Sequence, residues 1–130
     1  HFSMHIKAIH HIAIICSNYE RSKRFYVDVL GADIICETWR EQRSSHKLDL
    51  RLGNAQIELF SFPAPPPRPT RPEACGLRHL ALVVDNLETN ITHLKRHQIS
   101  VEAIRLDELT GKRFAFFQDP DGLPLELYEA

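Results

Sequence analysis

Two histidines and two glutamates are the residues of this chain best placed to do chemistry. His11 and Glu58 stand 47 residues apart, and so do His79 and Glu126. A single shift of 68 residues carries the first pair onto the second. Neutral imidazole nitrogens and ionised carboxylate oxygens together suit Zn²⁺, Ni²⁺, Co²⁺, Fe²⁺ or Mn²⁺. If two equivalent halves pair symmetrically, two His and two Glu converge on one ion. Four protein ligands in an octahedral sphere leave two positions for water or substrate. Cys16, Cys36 and Cys75 lack CxxC spacing, so a soft-metal or structural zinc site is not expected.

The shift holds beyond the four residues. His11-Ile12-Ala13-Ile14-Ile15 lies over His79-Leu80-Ala81-Leu82-Val83, and Ile57-Glu58-Leu59-Phe60 over Leu125-Glu126-Leu127-Tyr128. Asn18 falls on Asn86 and Glu20 on Glu88. A period this long is outside the solenoid range of roughly 20–50 residues and fits two copies of a small module. A carboxylate between apolar strand neighbours either faces solvent or is buried for a reason. One such Glu reads as solvated. Two at equivalent positions, each following a strand histidine, read as ligands. The repeat also selects His11 over His10, which strand alternation would point away, toward the helix.

The elements that must position these residues follow from the apolar pattern. A strand is expected over 9–16, then a helix to about Leu30 capped by Ser17 with Glu20 three residues on, closed by Gly31. Strands are expected over 32–39, 46–52 and 55–60, the last two joined at Gly53-Asn54. The second half repeats the order. It has a strand over 77–84, a helix capped by Asp85 with Glu88 and running to about Gln98, and strands over 100–106, 113–118 and 123–129. Asp119-Pro120-Asp121-Gly122 is the turn before the last strand. The fold class is therefore α+β, a tandem βαβββ in which each half forms a curved mixed sheet. Residues 4–62 make the first module, 63–75 a linker and 76–130 the second, together one domain. The linker region holds six of the eight prolines and reads as a polyproline II spacer, a mere connector. His1-Phe2-Ser3 before Met4 reads as an expression remnant.

Bulk properties exclude several classes. The net charge is −1 and the pI about 6.8, so no basic excess points to nucleic acid. No apolar run reaches a membrane span and no leader is visible. An odd number of cysteines favours a reducing compartment, and the expected location is the cytoplasm.

These motifs carry a resemblance. The chain resembles the vicinal-oxygen-chelate superfamily, the glyoxalase/bleomycin-resistance/extradiol-dioxygenase group, over essentially all of residues 6–130. The resemblance rests on His11-Ile12-Ala13-Ile14 with Ser22-Lys23-Arg24-Phe25-Tyr26 and Leu30-Gly31, on Ile57-Glu58-Leu59, on Gly76-Leu77-Arg78-His79-Leu80-Ala81, and on Phe117-Gln118-Asp119-Pro120-Asp121-Gly122 with Leu125-Glu126-Leu127. It is nearest to small bacterial proteins similar to glyoxalase I. It implies a metal held by His11, Glu58, His79 and Glu126, with nickel or zinc favoured over iron, cobalt or manganese. It implies a homodimer with His and Glu from each chain, and a small-molecule substrate. The implied activity is that of a lyase or isomerase similar to lactoylglutathione lyase. Its substrate would be an α-hydroxycarbonyl compound or thiohemiacetal, with Glu126, and secondarily Glu58, moving the proton. Extradiol cleavage with Fe²⁺ and non-catalytic binding of a drug or metabolite, as in bleomycin-resistance proteins, are the alternatives.

Departures from the resemblance bear on the substrate. The Arg that contacts the glutathione carboxylate in bacterial glyoxalase I is matched by Ile15, and the Asn used for glutathione by Phe62. Epimerases of this group have Gln where this chain has Glu58, and extradiol enzymes would leave one Glu surplus. Other candidates for anion contact are Arg40, Arg43, His46, Lys112 and Arg113. Trp39 could line a cavity or close the core. His93 and His97, four residues apart on a helix, read as exposed.

Overall fold

The structure, a computed structural model, describes residues 3–130; His1 and Phe2 of the expected remnant lie outside the described residues. The chain divides into two compact units between Pro65 and Pro66. In the first, β1 (Ile12–Cys16), α1 (Tyr19–Arg24), β2 (Asp33–Arg40), β3 (Ser45–Leu52) and β4 (Ala55–Ser61) follow in order. In the second, the order is β5 (Leu80–Val84), α2 (Leu87–Arg96), β6 (Arg105–Asp107), β7 (Lys112–Gln118) and β8 (Pro124–Glu129). Each unit carries one four-stranded sheet, β1-β4-β3-β2 in the first and β5-β8-β7-β6 in the second. The first and last strands of each unit pair parallel, and the remaining pairs are antiparallel. The fold is α+β with two mixed sheets, as the repeated pattern requires.

One face of each sheet is the core. Leu48, Leu50, Ile57 and Leu59 are buried in the first unit with Tyr26 from the helical segment. In the second unit Ala115, Phe117, Leu125 and Leu127 are buried, as are Leu87, Ile91 and Leu94 of α2. Alternation along β4 and β8 sends Glu58 and Glu126 to the opposite faces, where His11 and His79, each just before its strand, meet them. Burial of large apolar side chains at ~25 cal/mol per Å² holds the helices on one side and leaves the other for function.

After Arg24 the first helix widens into a π-helical segment, Phe25–Val29, in which Phe25 and Tyr26 are both buried. Gly31 ends it at φ +80°, donating its N–H to Val27 O at 3.1 Å. Both helix caps stand one residue later than expected. Asn18 Oδ1 accepts from Arg21 N at 3.0 Å, and Asn86 Oδ1 from Thr89 N at 2.9 Å. Ser17 and Asp85 precede the caps. The two asparagines are repeat equivalents with near-identical extended backbones, φ −135° and −124°. Glu88 meets Arg113 Nη1 at 2.5 Å.

β1 and β5 start three residues later than the apolar runs suggest, and the strand expected over 100–106 contracts to Arg105–Asp107. The segment expected to be a simple spacer folds back instead. Arg68 Nη2 donates to Leu77 O at 2.6 Å, and Thr70 Oγ1 to Gly122 O at 2.9 Å. Among the described residues no helix is long and apolar enough to cross a membrane.

The cap assignment predicts that Asn86→Ala costs about 1 kcal/mol in chemical denaturation. Asp85→Ala should change stability by a few tenths at most. Equal losses for the two would return the cap to Asp85.

Candidate metal centre

The parallel pairing of first and last strands builds each His–Glu pair. Ala13 lies opposite Glu58, and Ala81 opposite Glu126. His11 and His79 stand one residue before β1 and β5, and their contacts with the glutamates put them on the same face. The methyl side chain opposite each carboxylate leaves the space into which the imidazole leans. His79 Nε2 lies 3.1 Å from Glu126 Oε1, and His11 Nδ1 lies 3.5 Å from Glu58 Oε2. Both glutamates are only 8% exposed.

The structure brings His11 to Glu58 and His79 to Glu126. Among the described residues no three of the His, Cys, Asp and Glu side chains stand together as a metal site. Each pair on its own fits two ligand atoms of one ion. Ligand bonds of about 2.1 Å at right angles put donor nitrogen and oxygen about 3 Å apart, and the His79–Glu126 separation is 3.1 Å. A nearly buried carboxylate whose main polar neighbour is an imidazole also needs positive charge.

The pairs differ in their surroundings. Glu58 is in charged company: Lys47 Nζ is 3.8 Å from its Oε1, and Gln56 Nε2 is 3.4 Å from its Oε2. Lys47 is also bound to Asp49 at 3.1 Å, and that bond chiefly raises the lysine's pKa. Glu126 is in aromatic company. Phe116 lies directly opposite it in the sheet, and its ring stands edge-on to His79 at 5.0 Å. Asp119 fixes the turn that delivers β8, its Oδ1 accepting from Asp121 N and Leu123 N, each at 2.9 Å.

His10 does not point away toward the helix. It precedes β1, where alternation has no force, and its Nδ1 lies 2.8 Å from His11 Nδ1. His11 must therefore give up that contact, or present its other nitrogen, to bind an ion.

A match to a family model decides the kinship. The glyoxalase/bleomycin resistance protein/dioxygenase superfamily model matches residues 8–127. The chain belongs to that superfamily. The Bacillus subtilis protein YwkD is 63% identical to it, over 97% of this chain and 99% of that one. The crystal structure of a glyoxalase family protein from Enterococcus faecalis superposes with a TM-score of 0.89 at 48% identity, covering 97% of this chain and all of that one. A metallothiol transferase, FosB of Staphylococcus haemolyticus, is 29% identical over 95% of this chain and 84% of its own length.

The remaining candidates sort by face. Arg40 lies over the rings of Phe60 and Phe62, at 4.7 and 5.6 Å, on the Glu58 side. Ile15 is 55% exposed on the His11 side. His46 stacks on Tyr19 at 4.0 Å, and Trp39 lies against His46 at 4.7 Å, so both sit on the helix side. Trp39 neither closes the core nor approaches the pair. Arg43 lies in the turn before β3, and Lys112 Nζ reaches Ala130 O at 2.9 Å. Arg113 is held by Glu129 at 3.0 Å as well as by Glu88, and these bonds raise its pKa further. It ties α2 to β8. His93 on α2 and His97 at its C-cap are exposed neighbours, their rings 4.7 Å apart. Sequence reading missed Lys47 and Phe116, which only cross-strand register identifies.

Calorimetric titration with Zn²⁺ or Ni²⁺ of metal-free protein should give tight binding. Replacing His79 and Glu126 together by Ala should weaken it a hundredfold or more. Undiminished binding by the double variant would reject these ligands.

Proposed function

We propose that the chain is a metal-dependent lyase or isomerase of the glyoxalase I type, acting on a small α-hydroxycarbonyl compound such as a thiohemiacetal. The observation that carries this is the duplicated pair, an imidazole beside a buried carboxylate at the same register in both sheets. His11, Glu58, His79 and Glu126 would hold one divalent ion, nickel or zinc before iron, cobalt or manganese. Bound there, the metal supplies Lewis acidity, polarising a carbonyl and acidifying the adjacent C–H.

Glu126 is then the proton carrier. It takes the proton from the hydroxyl-bearing carbon and returns it to the neighbouring carbonyl carbon. The hydroxyl proton passes to the former carbonyl oxygen, so atoms balance and no oxidant is needed. Glu58, with Lys47 beside it at 3.8 Å, serves as a holding ligand. Phe116 excludes water next to Glu126. The name metallothiol transferase carried by FosB supports metal and thiol chemistry for relatives of this kind.

The same proposal includes a homodimer. β1 and β5 are sheet-edge strands, and Ile15 and Val83, equivalent across the repeat, are 55% and 72% exposed. An apolar edge needs a cover. The ligands would then come from both chains. Sedimentation at micromolar concentration should show a metal-bound dimer; a metal-bound monomer would remove this part.

The test of the activity is an assay of metal-reconstituted protein with methylglyoxal and several thiols. Turnover is expected, weak with glutathione because Ile15 and Phe62 offer its carboxylate no charge. Turnover with none of the thiol adducts would sink the proposal. Oxygen uptake with catechols would favour ring cleavage, and tight binding without turnover a carrier.

A further inference from the structure

The second unit contains a cavity of about 220 Å³ beside the His79–Glu126 pair. Its walls come from the folded-back 68–78 segment and from β6 and β7. Four arginines, Arg68, Arg71, Arg78 and Arg105, line it against two carboxylates, Glu73 and Glu102, leaving a local charge of +2. The whole chain carries −1, so this charge is local.

Two of the arginines are arranged about one ring. Arg105 lies 5.2 Å and Arg78 5.9 Å from the centroid of Phe116. Such stacking holds a guanidinium plane while leaving its N–H edge to bind something else. Arg78 gives one edge to Glu73 at 2.5 Å and lies 3.2 Å from His79 Nδ1. Arg105 is only loosely held, 3.9 Å from Glu102. Arg68 Nε is buried without a hydrogen-bond partner, a donor whose desolvation is uncompensated. Guanidinium groups massed this way match an oxyanion, which accepts two N–H bonds per group.

Phe116 belongs to both places: it wall-lines the cavity and sits opposite Glu126, edge-on to His79. We infer that the substrate carries an anionic oxygen group, carboxylate or phosphoryl, seated on Arg68, Arg78 and Arg105, while its reacting end lies at His79 and Glu126. This rests on the proposed activity only for where the reacting end lies; the anion seat stands on the arginines themselves. The sequence gives no sign of it, because Arg68 and Arg71 sit in a proline-rich stretch and Arg105 is far from them along the chain.

The test is a titration of the full chain with inorganic phosphate and, separately, with acetate. Arginine Nε–H signals are followed by NMR at constant ionic strength. Saturable shifts at Arg68, Arg78 and Arg105 are expected with at least one anion. The Arg78→Gln, Arg105→Gln double variant should bind tenfold or more weakly with unchanged amide dispersion, and Arg24→Gln, an exposed site elsewhere, as the parent does. Preference for phosphate or for acetate supports the seat and names the group. No saturable shift with either anion, or equal affinity in the double variant, overturns it. A His79→Ala variant, weakened in metal binding, should still bind the anion; absence of turnover in the metal-loaded parent would count against the proposed activity and leave the seat intact.

Discussion

Parallel pairing of the first and last strand of each unit is the constraint on which the rest depends. It sets Ala13 against Glu58 and Ala81 against Glu126. A slip of one residue would turn each glutamate into the core beside Leu48 or Phe117 and each neighbouring leucine out to solvent. The apolar faces forbid that slip, since Leu59 and Leu125 are fully buried. The core therefore fixes the register, and the register places the imidazole beside the carboxylate. The small side chain opposite each glutamate completes the arrangement, because a larger one would occupy the histidine's place.

Duplication explains why the pairs match, and divergence around them explains why they differ. The first unit surrounds its carboxylate with Lys47, Asp49 and Gln56, the second with Phe114 and Phe116. A charged neighbourhood suits a carboxylate that stays in place. An aromatic one, walled by a cavity carrying excess positive charge, suits a carboxylate that meets substrate. On the proposed function, the two units would divide labour on one shared plan. The match to the superfamily model extends over both, from residue 8 to residue 127.

Much of this was legible before any coordinates. The 68-residue shift singled out the four side chains, and alternation assigned the face of the two glutamates. Turn chemistry placed the bend at 119–122 correctly, because Asp119 accepts two backbone N–H groups there. Other features were not legible, for physical reasons. Ser17-Asn18 and Asp85-Asn86 each offer two good capping residues in a row, and only the backbone turn decides between them. His10 was misplaced because alternation was extended beyond the strand. Val101 and Ile104 have strand-like side chains, yet before Arg105 the backbone bond to β7 is the one from Glu102 N to Phe116 O at 2.9 Å, and the continuous ladder starts at Arg105. Prolines made 63–75 look like a spacer, whereas Arg68 and Thr70 bond it to the second unit.

The central claim is that His11, Glu58, His79 and Glu126 serve one metal ion. X-ray absorption spectroscopy of nickel- or zinc-loaded protein reads the ligand set directly. The account predicts two imidazoles with only oxygen in the remaining positions, and loss of one imidazole in His11→Ala and in His79→Ala alike. A sulfur ligand, or an imidazole count unchanged by either substitution, would contradict it.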